Sequence, residues 1–163
     1  MVDPAAQKGR CKLSCVSNEA AFGRLCFVWG KGLSLNNYHP KQGDVLLCDF
    51  TRGFVAPEML KVRKVIVISP NATNRRRLCT VVPISSTAPE HEEDWHHLLR
   101  KNPLESDGYL QLWVKCDMIY TVSFARLDKL HKKTRKGREY FVPRLTDEDL
   151  RCVLDCVRAY LPL

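Results

Sequence analysis

The run Val65-Ile66-Val67-Ile68 constrains the fold more than any other segment, because four successive β-branched residues favour a strand and leave it no polar face. Such a strand is buried on both sides, so the chain must supply apolar cover above and below it. Ser69-Pro70-Asn71 then stops the run, since proline cannot continue a ladder and asparagine favours turns. Upstream stand Lys61-Val62-Arg63-Lys64. Arg63 therefore sits where a rigid core strand meets a loop, and a group placed there is held by the core behind it.

At 163 residues the chain suits one domain with an appendage. Residues 1–38 carry no clear periodicity beyond a short strand candidate at Cys26-Phe27-Val28-Trp29, and an N-terminal extension, partly disordered, is expected there. The regular domain is expected over 39–163. No apolar run approaches the ~18 residues that span a bilayer, so no membrane partner is expected. Eight cysteines contain no C-x-x-C pair, which suits reduced thiols in a cytoplasmic protein, several of them filling core. A formal net charge of +8 favours a polyanionic partner, either nucleic acid or an acidic protein segment. The charge gathers at Arg75-Arg76-Arg77, a turn, and at His131–Arg138, a basic loop.

The remaining pattern is one of short strands. Asp44–Phe50, residues 63–69, Leu78–Pro83, Trp95–Leu99, Gly108–Lys115 and Phe141-Val142-Pro143 read as strands, with Ile84–Thr87 as a polar turn and Asp117–Thr121 as a turn or short helical piece. The C-terminus reads as a helix. Thr146 is its N-cap, Asp147, Glu148 and Asp149 suit the positive end of its dipole, and Leu150, Val153, Leu154, Val157 and Leu161 share one face. The expected class is mainly β (α+β): a small barrel-like sheet with short helices and a C-terminal helix packed against it.

The sequence contains no G-x-S-x-G, H-E-x-x-H, Walker or dinucleotide motif. His96 and His97 point to opposite faces of a strand, so they do not chelate a metal together. What the chain does contain is an ordered set: Gly43-Asp44-Val45, Pro57-Glu58-Met59, Arg63 ahead of Val65–Ser69, Thr80–Ser86, Val114–Val122 and Arg126-Leu127. In order and spacing this set resembles the PemK/MazF family of toxins from type II toxin–antitoxin systems, over about residues 40–163. The resemblance implies an SH3-like or CcdB-type barrel, a homodimer and a cytoplasmic bacterial endoribonuclease. It implies cleavage of single-stranded RNA at short sequences without a cofactor or metal, inhibiting translation and growth. It also implies an acidic antitoxin as partner, and operator DNA reached through the toxin–antitoxin complex. The alternative is a non-catalytic protein on the same scaffold that binds operator DNA, antitoxin or gyrase.

Residue by residue, the resemblance gives Arg63 as the phosphate-binding arginine, Ser85 as a hydrogen-bond donor to the same phosphate, and Asp117 as an acid–base residue. Lys115 matches a nearby basic position. The family usually has Arg-Pro where this chain has Arg63-Lys64, which adds Lys64 as a second cation. Some members carry a histidine in the preceding loop. Here that position falls near Pro57-Glu58, so an imidazole must come from elsewhere: His96 or His97 can approach from the fourth strand and His39 is a poorer candidate, with His97 taken as the acid–base group and His96 beside the RNA. Arg75, Arg76, Lys132 and Lys133 complete the expected RNA contacts. Each residue also has a plainer role: a strand-end cation for Arg63, a turn residue for Ser85, an N-cap for Asp117.

Overall fold

The computed structural model describes residues 38–104 and 111–161; the strand expected at Cys26–Trp29, the N-terminal extension and residues 108–110 lie outside them. β1 (Val45–Asp49) and β2 (Val62–Val67) pair antiparallel, with Cys48 opposite Arg63 and Val45 opposite Ile66. β3 (Leu78–Ser85) takes the other edge of β2. β3 then divides its own outer edge: Leu78–Val81 pair with β6 (Tyr120–Ser123), whereas Ile84 and Ser85 pair with β5 (Trp113–Lys115). β4 (His96–Leu98) extends the sheet beyond β5, and β7 (Leu127–Asp128) closes the β1 side. A separate hairpin, β8 (Leu130–Thr134) with β9 (Gly137–Phe141), and helix α1 (Asp147–Tyr160) complete the chain.

The β-branched run does what its composition demands. Ile66 and Ile68 join Val45, Val82 and Val114 in a core capped by Val153 of α1, while Val65 and Val67 join Leu46, Phe50 and Val81 in a second core on the opposite face. Three buried thiols fill these cores: Cys48 and Cys79 in the second, Cys116 in the first. Burial pushes the Cys48 and Cys79 thiols up to about 12, so both stay protonated as packing groups.

Three segments differ from expectation. Tyr120 and Thr121, expected to end the turn or short helical piece at Asp117–Thr121, instead begin the strand Tyr120–Ser123, because Val122 packs into the core and the ladder with β3 satisfies its backbone. The basic segment His131–Arg138 is not a loop but most of the β8–β9 hairpin, turned at Arg135-Lys136 with Gly137 at φ +128°. Most of its side chains are exposed, so no apolar alternation marks it. β3 runs on through Ile84 and Ser85, expected as part of a polar turn, whereas Asn71–Arg76 form 3-10 turns in line with the turn expected there.

Thr146 caps α1 as expected, accepting from the Asp149 amide at 3.1 Å. Asp149 is buried and also binds His97 Nε2 at 3.1 Å, the Arg100 amide at 3.2 Å and the Thr146 hydroxyl at 3.1 Å. Burial alone would raise its carboxyl, but these hydrogen bonds outweigh it and hold the pKa below the usual carboxylate value. Asp149→Ala is expected to cost about 2 kcal/mol, since it orphans three polar partners at the helix–sheet junction. Because the folded-state pKa is depressed, the carboxylate's contribution is complete above 3.8 and is lost as pH falls through the folded value. Denaturant melts of both proteins between pH 3 and 7 check this; parallel curves would contradict it.

Candidate active site

Arg63 and Lys64 at the start of β2, Ser85 at the end of β3 and Lys115 at the end of β5 border one cavity of about 360 Å³. Antiparallel pairing explains the convergence: β2 begins where β3 ends, and β5 pairs with β3 at Ile84 and Ser85. Met59, from the loop that leads into β2, and Met118 add flexible apolar walls. No acidic side chain lines the cavity among the described residues. Three cations therefore border one space, which suits an anion such as a phosphodiester. Arg63 is exposed and its side chain has no hydrogen bond or ion pair among the described residues, leaving its planar fork available to a ligand.

Ser85 Oγ accepts from the Thr87 amide at 3.0 Å and donates to the Thr87 carbonyl at 3.1 Å. The hydroxyl thus pins the turn that presents Ser86 and Thr87 to the same cavity.

Asp117 lies outside the cavity lining, between Lys115 and Met118, which border it. Its Oδ1 is buried and accepts no hydrogen bond from a described residue, and the nearest ionisable partner is His96 Nε2 at 3.9 Å. His96 Nδ1 takes the Glu93 amide at 3.3 Å, so a neutral ring carries its proton on Nε2, towards Asp117. His97 turns to the other face of β4 and is held by Asp149. The two histidines are parted as strand geometry requires.

Among known proteins, the model of the PemK-like, MazF-like toxins of type II toxin–antitoxin systems matches residues 41–161. The chain belongs to this family. Structural likeness agrees on the fold. MazF from Deinococcus radiodurans has a TM-score of 0.57 at 19% identity, covering 78% of this chain and 100% of that one. An endoribonuclease in complex with its cognate antitoxin from a mycobacterial species has a TM-score of 0.54 at 19% identity, covering 76% and 96%. An uncharacterized protein of Haemophilus influenzae is 25% identical over 140 residues, covering 78% of this chain and 96% of the relative.

Within this PemK/MazF-type chain the expected site residues divide among separate places. Arg63, Lys64, Ser85 and Lys115 share the cavity, while Asp117 and His96 face each other outside its lining. His97 belongs to the α1 junction instead. Arg75 and Arg76 follow the far end of β2, which lies four residues or roughly 13 Å of strand from Arg63. Lys132 and Lys133 lie on β8, where Lys132 borders a different cleft. Ser86, Thr87, Met59 and Met118 are lining residues that sequence reasoning left unassigned. Their only signal was position: the first two follow Ser85, and the methionines flank the segments that carry Arg63 and Asp117.

Proposed function

We propose that this toxin is an endoribonuclease that cuts single-stranded RNA by intramolecular transesterification, without a metal. The observation that carries the reading is the single cavity shared by Arg63, Lys64, Lys115 and Ser85, with no acid among the described residues that line it. In the reaction the 2′-oxygen forms a bond to the adjacent phosphorus while the bond from phosphorus to the 5′-oxygen breaks. The products are a 2′,3′-cyclic phosphate and a 5′-hydroxyl.

The negative charge that grows on the phosphorus oxygens is met by the Arg63 fork and Lys64, with hydrogen bonds from the Ser85–Thr87 turn. Asp117 accepts the 2′-hydroxyl proton with His96 behind it, and the Lys115 ammonium donates a proton to the departing 5′-oxygen. Met59 and Met118 adapt to the bases that flank the cut.

The net charge of +8 suits both RNA and a small acidic antitoxin. The mycobacterial endoribonuclease, solved with its cognate antitoxin, supports such a partner by analogy. A cytoplasmic homodimer whose antitoxin complex binds operator DNA completes the reading. Purified protein incubated with a long single-stranded RNA in EDTA tests it. Discrete fragments ending in 2′,3′-cyclic phosphates and starting with 5′-hydroxyls are expected; intact RNA rejects the proposal.

A further inference from the structure

We propose that the cleft between the β8–β9 hairpin and the start of α1 is a second RNA contact, which holds a nucleotide and its phosphate away from the cut site. This inference rests on the ribonuclease reading above. The cleft has a volume of about 390 Å³ and shares no lining residue with the Arg63 cavity. Lys101, Lys132 and Arg144 converge on it, and Pro103, Phe141 and Pro143 supply apolar wall. No acidic side chain lines it among the described residues.

Two of the cations are held in place. Lys132 Nζ lies over the Phe141 ring, 5.0 Å from its centre. Arg144 donates from one guanidinium nitrogen to the Gln42 carbonyl at 3.0 Å, which fixes the group and leaves further N–H donors. Lys101 and Lys132 are exposed and make no ion pair among the described residues. Among the described residues the neighbouring acids are paired elsewhere or stand outside the lining. Glu148 is paired with Arg100, while Glu139, opposite Lys132 in the hairpin, and Asp147 both lie outside the lining.

Three cations beside an aromatic ring and two prolines, in a space of this size, match a nucleotide. Its phosphate is anionic and its base is flat and apolar on both faces. The hairpin adds reach, because Lys133, Arg135, Lys136 and Arg138 are all exposed along it. Strand outside the cut site would therefore be gripped through its phosphates, with little regard for sequence.

The test uses the full chain and a 20-nucleotide single-stranded RNA whose cleavage site carries a 2′-deoxyribose, so that binding is read without cutting. Fluorescence anisotropy is measured from 50 to 300 mM salt for the wild type, for the Lys101→Gln/Lys132→Gln double variant, and for Phe141→Leu. The double variant is expected to bind about tenfold more weakly, with a slope of log Kd against log salt lower by about 1.4, or 0.7 for each lost phosphate contact. Phe141→Leu keeps apolar cover, so it is expected to weaken binding with the slope unchanged. Wild-type affinity and slope in the double variant overturn the inference. So does a loss confined to binding of an acidic peptide, which would make the cleft a protein-docking site. Failure of the ribonuclease reading shows separately, as uncut all-ribose RNA.

Discussion

Replacing Arg63 with alanine is expected to lower kcat for RNA cleavage about 10²–10³-fold, the usual effect of removing one preorganised donor from a developing oxyanion. Because the Arg63 side chain is exposed and makes no hydrogen bond or ion pair among the described residues, the fold should barely register its loss, within about 0.5 kcal/mol. Arg63→Lys keeps the charge but not the planar fork, so it is expected to recover only part of the rate. Lys64 and Lys115 remain beside the site in both variants and set a floor under the residual activity. Single-turnover cleavage in EDTA, with thermal melts in parallel, measures this. Wild-type kcat in Arg63→Ala would remove the cavity from the reaction altogether.

Much of this arrangement was legible from the residues. Val65–Ile68 had to be buried on two sides, and their side chains do alternate between two cores. The α1 boundaries were legible because Thr146 and three following acids mark a helix start by hydrogen bonding and dipole, which are local effects. The convergence of Arg63, Ser85 and Lys115 was accessible only through the order of motifs, since it depends on β3 lying between β2 and β5. Local pattern could not give the β8–β9 hairpin, whose ladder is backbone and whose side chains mostly face solvent. Nor could it divide the histidines. Alternation placed His96 and His97 on opposite faces, but which face met Asp117 and which met Asp149 depends on the pairing of β4 with β5 and on the docking of α1.

That division yields a second large effect, at His96. Its two ring nitrogens have different jobs: Nδ1 accepts the Glu93 amide, and Nε2 faces the buried Oδ1 of Asp117. The 3.9 Å gap is about 1 Å beyond hydrogen-bond reach, and such contacts often close only when substrate is bound. Asparagine and glutamine separate the two jobs. The Asn amide can reproduce the contact made by Nδ1 but cannot reach Asp117; the longer Gln amide can donate to Asp117 and gives up the loop contact. If His96 orients Asp117 for proton transfer, His96→Asn should lower kcat about 10²-fold with KM nearly unchanged, and His96→Gln should restore most of it. If His96 only braces the loop, the order reverses: Asn behaves as wild type, while Gln loses stability and activity together. Equal, near-wild-type rates in both variants would leave Asp117 to act alone. Asp117→Asn, which abolishes the carboxylate base at little cost in volume, is then expected to retain the full 10²–10⁴-fold loss typical of removing an acid–base group.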